Sequence, residues 1–131
     1  MEAAAARLVC VRASDPEIAK IVAQHKSCED QARSGTADSY FDANTQFHNM
    51  IWSAAGNHVL EDQIVLLNRR LSPYRRFVTF KPGRQEEAVA EHAQIADAIQ
   101  NRNSVVAVVA MREHVTILGS DVIQLARNLR L

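Results

Sequence analysis

Apolar side chains return every three or four residues along almost the whole chain, and a backbone carrying that period folds as helices rather than strands. Residues 37–55 show it most plainly, with Tyr40, Phe41, Phe47, Met50, Ile51 and Ala54 gathered toward one face. In residues 85–100 the stripe is Ala88, His92, Ile95 and Ile99. The boundaries are legible too. Ser14-Asp15-Pro16-Glu17 has the form of a capping box: Ser14 caps, Glu17 answers three positions on, and Pro16 sits in the turn that needs no N–H. It separates an alanine-rich helix over Glu2–Arg12 from a second that carries Ile18, Ile21 and Val22 and stops at Ser34-Gly35. Gly56-Asn57 ends the third helix, since both residues accept left-handed backbone. A fourth is expected over 59–71, bent or ended by Ser72-Pro73, and Lys81-Pro82-Gly83 makes a turn. The fifth covers 85–100. After a polar break at 101–103, Asn103 or Ser104 can cap a sixth over 105–118, and Gly119 precedes a seventh over 121–129. The run Val105-Val106-Ala107-Val108-Val109 has the composition of a strand. It lacks bounding turns and continues into Arg112-Glu113-His114, so a buried helix is expected there. The predicted fold class is all-α, an antiparallel bundle of six to seven helices forming one domain over 1–131.

Hydrophobic residues make up 47% of the 131 positions, and only four glycines and three prolines interrupt them, which suits a packed core with short connections. Fifteen basic residues balance fifteen acidic ones, so no net field draws the chain to nucleic acid or anionic lipid. The doublets Arg69-Arg70 and Arg75-Arg76 read as solvated surface. Nothing approaches the roughly 20 apolar residues of a membrane span. Residues 1–11 lack the basic start and continuous hydrophobic run of a secretory signal. The expectation is a cytoplasmic protein with no membrane contact, whose Cys10 and Cys28 are free, buried thiols.

The chemistry lies in the histidines. Asn44 and His48 stand one helical turn apart and point the same way. His92 lies on the apolar stripe of the fifth helix and His114 near the end of the sixth, so a packed arrangement of these helices can bring all four together. Three imidazoles suit a divalent first-row ion such as zinc, nickel, cobalt or iron, and Asn44 would add a carbonyl oxygen. The competing reading of each is a packed, hydrogen-bonded core histidine. His25 and His58 have no such context and are expected at the surface or in loops.

Residues 40–60, and within them Phe41-Asp42-Ala43-Asn44-Thr45-Gln46-Phe47-His48, resemble the effector-binding domain of FadR/VanR-type regulators of the GntR family, the FCD domain. Glu91-His92-Ala93-Gln94-Ile95-Ala96-Asp97-Ala98-Ile99, followed by Ala107, Met111 and His114, is similar to the second half of that signature. Glu2-Ala3-Ala4-Ala5-Ala6-Arg7-Leu8 is similar to the end of the family's first effector-domain helix.

The resemblance implies a helical bundle around a polar pocket, where an aspartate and three histidines hold a divalent ion. The histidines carry over to His48, His92 and His114, but Asn44 stands where the family has its aspartate. A neutral amide lacks the charge attraction of a carboxylate, so a weaker three-histidine site is expected, with zinc, nickel or a similar ion as cofactor. The implied effector is a small organic acid, and Arg70 or Arg75, close to Tyr74, are candidates for the fork of donors that grips its carboxylate. Family regulators carry a winged helix-turn-helix domain ahead of this one. This chain begins within the first effector-domain helix, so DNA is expected to be reached only through a separate domain. The shortened first helix is expected to leave apolar surface for a second subunit, making a homodimer. Two other functions compete: a stand-alone structural or dimerisation module without metal, and a metal-dependent hydrolase. No acidic residue is placed as a general base for the latter, since Glu91 and Glu113 each adjoin a histidine and so turn about 100° away on a helix. The chain is not expected to be an enzyme.

Overall fold

The computed structural model describes residues 1–129, apart from the side chain at position 118. Among these residues there are six helices and no strand: α1 (Glu2–Arg12), α2 (Asp15–Ser34), α3 (Ala37–Ala54), α4 (His58–Thr79), α5 (Arg84–Gln100) and α6 (Ser104–Asn128). Four of the six helices, α2, α3, α4 and α6, start where a side chain satisfies a free N–H group of the first turn. The Ser14 hydroxyl accepts from the Glu17 backbone N–H at 3.3 Å while the Ser14 N–H donates to the Glu17 carboxylate at 3.0 Å. Thr36 and Ser39 make a second reciprocal pair at the start of α3, and Asn57 and Asn103 cap α4 and α6 through their side-chain oxygens.

The packing is a ring around a hub. Contacts run from α3 to α2, α5, α6, α4 and back to α3, while α1 packs against α3, α4, α5 and α6. That placement explains the alanines of α1. A helix crowded from several sides needs short side chains, and Ala5, Ala6 and Val9 are fully buried. Arg102 fastens the far end of the hub. Its guanidinium donates to the Cys10 and Ala13 carbonyls at 3.2 and 2.8 Å, satisfying acceptors that the end of α1 leaves open, and to Asp15 at 2.8 Å. Cys10 and Cys28 are free and buried, as expected.

Several expectations need correction. Helix α4 does not end at residue 71 but runs through Pro73 to Thr79. Pro73 cannot donate to the Arg69 carbonyl, yet the turn beyond it is anchored. Val78 and Thr79 are buried, the Thr79 hydroxyl donates to the Arg75 carbonyl at 2.8 Å, and Arg76 pairs with Asp38 of α3. Arg76 also lies over the Phe41 and Phe80 rings at 5.3 and 5.1 Å, so the second arginine doublet is not simply solvated. Helix α6 likewise continues through Gly119, merging the expected sixth and seventh helices. The valine run is helical but not buried throughout: Val105, Val106 and Val109 face outward, while Ala107, Ala110 and Met111 face the core. His25 is buried rather than at the surface, because the spacing Ile18, Ile21, His25, Cys28 puts it on the inner stripe of α2, where Glu29 meets its Nε2 at 2.7 Å. His58 is exposed at the start of α4. No helix among the described residues is long and apolar enough to cross a membrane.

Candidate metal centre

Three helices deliver one imidazole each to the same point. His48 comes from α3, His92 from α5 and His114 from α6, and all three are buried. The Nε2 of His92 lies 3.2 Å from that of His114, which in turn lies 3.3 Å from the Nε2 of His48. All three candidate ligand nitrogens fall within 4.8 Å of one another. His48 and His114 stack with their planes 11° apart, and His92 stands edge-on to both. Phe47 closes the cluster on one side, its ring centroid 4.8 Å from that of His92.

The outer edges of the rings decide which nitrogens carry protons. Nδ1 of His114 meets a carboxylate oxygen of Glu91 at 2.6 Å, so it is assigned as the N–H donor, leaving the Nε2 of a neutral ring with a bare lone pair. Nδ1 of His48 faces Glu2 at 3.5 Å, close enough for charge pairing though not aligned as a hydrogen bond. A proton held there bares the second Nε2 as well. Two lone pairs then confront each other across 3.3 Å, with His92 adding a third nitrogen. A cation between them relieves that conflict. An ion roughly 2.0–2.1 Å from each nitrogen sets neighbouring ligands about 3–3.4 Å apart, which the two separations from His114 match. The donor set fits a divalent metal, and the carboxylate behind each of two imidazoles is the usual arrangement for holding a ligand ring in orientation.

The electrostatics agree. Burial, with the nearby His114 and His48, pushes His92 well below the ordinary 6.5, keeping it neutral as a ligand must be. Burial also lowers His114, partly offset by Glu91. Burial works against the charge on Glu91, yet hydrogen bonds from His114 and Arg84 hold it down at about 2. Glu2 is likewise desolvated, and is held at about 2 by His48 and Arg75. Two carboxylates therefore surround the imidazoles.

The other predicted residues separate. Asn44 lines a cavity of about 40 Å³ together with His48, Trp52 and Arg75, and a smaller one of about 20 Å³ together with His114, Tyr40 and Arg84. Arg75 is half-buried, donating to Asn68 at 2.6 Å and to Glu2 at 3.5 Å. Arg70 is exposed and Tyr74 half-buried, and neither lines a cavity beside the histidines. Sequence reasoning missed Glu2, Glu91 and Arg84. Glu91 does turn away from His92, and that rotation aims it at His114 across the α5–α6 contact. Arg84 precedes it by two helical turns and reaches both its oxygens at 2.8 and 3.1 Å. Their spacing of seven, on the face beside a histidine, was the available signal. Trp52 packs at 2% exposure, but its indole N–H has no partner among the described residues and its ring borders the cavity.

An all-helical bundle that spends its core on three imidazoles beside a small cavity is a domain organised around binding. Residues 1–116 match the family described as the FCD domain, and the chain belongs to that family, the effector-binding domains of GntR-type regulators. No curated protein matches the chain.

Proposed function

We propose that this domain senses a small organic acid through a divalent ion held by His48, His92 and His114. The observation that carries the reading is the meeting of three Nε2 atoms from three helices, with Nδ1 of His114 fixed by Glu91. When bound, the ion supplies a Lewis-acidic attachment point for a carboxylate oxygen. The chain's own groups select and orient the ligand. Arg75 lines the adjoining cavity and has donors beyond those used on Asn68 and Glu2, which supports it over Arg70 and Tyr74 as the residue that grips a carboxylate. The Trp52 N–H offers another donor on the same wall, and Asn44 a carbonyl dipole in place of a charge. In such a regulator a separate winged-helix domain reads DNA, in keeping with the balanced charge of this chain. Self-association as a homodimer belongs to the same reading, with Val105, Val106 and Val109 supplying apolar surface.

The test begins with protein purified without chelator or polyhistidine resin. Elemental analysis is expected to show stoichiometric zinc, nickel or a similar ion, and calorimetry to show acetate-type acids binding only to the metal-loaded form. His92→Ala should abolish both, with a thermal melt confirming that the variant folds. Metal-dependent acid binding that survives this substitution overturns the assignment. Absence of both metal and acid binding in the unmodified chain would leave a structural module.

A further inference from the structure

Gly119 sits inside α6, where glycine costs roughly 1 kcal/mol relative to alanine. Neither a turn nor a close neighbour requires it: a Cβ built there would meet no atom within 4 Å. The space it leaves belongs to a third, larger cavity of about 300 Å³ between α1, α4 and α6. Its walls are aliphatic, from Leu67 and Leu71 on α4 to Val115, Val122 and Ile123 on α6. Its polar end is formed by Glu2, Asn68 and Arg75. Asn68 and Arg75 also line the small cavity that borders His48, so the two spaces share a wall.

From this adjacency we infer that the effector is an amphipathic monocarboxylate, whose acid group lies toward His48 and Arg75 and whose alkyl or aryl tail fills the cavity opened by Gly119. The inference rests on the acid-sensing reading above and adds the class of acid. The linings fix the orientation. The imidazole side offers Arg75, the Trp52 N–H and the ion site, whereas Leu67, Leu71, Val115, Val122 and Ile123 offer a carboxylate no side-chain donor. Binding opens the shared wall at its Glu2 side, where the Arg75 contact is long, at 3.5 Å, while the 2.6 Å bond from Arg75 to Asn68 is kept; a ligand carboxylate offers the guanidinium a better partner than Glu2 does. The volume suits a small molecule, lying at the lower end of the roughly 300–1,000 Å³ of ligand pockets. The aliphatic walls supply affinity by burying methylenes and little else.

Calorimetry on the metal-loaded full chain with acetate and octanoate separates this inference from the reading beneath it. Octanoate is expected to bind at least about tenfold more tightly than acetate. Gly119→Leu, which places a side chain in the cavity, should cut that advantage to within about twofold while leaving acetate unchanged. Gly119→Ala should fall between. Both substitutions favour helix, so melting temperatures at or above that of the parent chain are the check on folding. Equal affinity for the two acids, with acetate binding still lost in His92→Ala, overturns the tail site alone. An octanoate advantage that persists in Gly119→Leu overturns it as well. If neither acid binds, the acid-sensing reading falls and takes this one with it.

Discussion

Glu91 shows how a single side chain can serve a centre it never enters. It touches no candidate ligand nitrogen, but it holds the proton on the far side of the His114 ring and is itself held by Arg84. Replacing it with glutamine keeps the shape and removes the charge. Glu91→Gln is expected to weaken metal affinity by roughly 10- to 100-fold, and also to lower the melting temperature of the metal-free protein, because buried Arg84 loses its charged partner. Competition against a chromophoric chelator reads this directly, and an unchanged affinity would show that His114 needs no partner. The three histidines were legible in the sequence, His92 from the apolar stripe of its helix and His48 and His114 beside it from the resemblance to the FCD domain. The two carboxylates were not. Their role depends on the rotation of α5 against α6 and on the depth at which the first turn of α1 is inserted, and local periodicity fixes neither.

At the scale of elements, the helix starts and the Gly56 turn followed from local chemistry, and the failures came from residues that discourage helix without forbidding it. Pro73 was read as bending or ending its helix and Gly119 as preceding a separate one, but α4 and α6 continue through both. Local propensity was outweighed by packing farther along, through Val78, Thr79 and the Arg76–Asp38 pair in one case. Pro73 is exposed, so its ring contributes no core packing and its missing N–H is a net cost. Pro73→Ala should therefore raise stability by about 1–3 kcal/mol, seen as a higher urea midpoint. A lower midpoint would mean that the proline sets a bend the bundle requires. The valine run exposes a different limit. Its period identified a helix, while the outward direction of Val105 and Val109 depends on which neighbours reach that end of α6.

For the molecule as a whole, burying neutral imidazoles and ionised carboxylates together makes stability depend on pH with one sign. His92 and His114 have pKa values below 6.5 in the fold, so on acidification the unfolded chain takes up protons there before the folded one does. Folding stability must fall as pH drops below about 6.5. Glu2 and Glu91, held at about 2 against an ordinary 4.5, add stability that is complete above about 4.5 and is lost as pH falls toward their folded values. With chelator present, melting temperature is expected to decline between about pH 7.5 and 5.5 and to fall further below about 4.5. A flat profile would mean that the imidazoles protonate freely inside the fold.

The hub position of α1 has a consequence for how this chain can vary. Ala3-Ala4-Ala5-Ala6 looks like filler, a stretch that a composition filter would discard. Ala5 and Ala6 are nonetheless wholly enclosed, with four helices drawn up against the one that carries them. A larger side chain there has no single neighbour to displace and would push several apart at once, including those that bring the imidazoles together. The least informative letters in the sequence are thus among its least replaceable, and drift should accumulate on the outer ring instead.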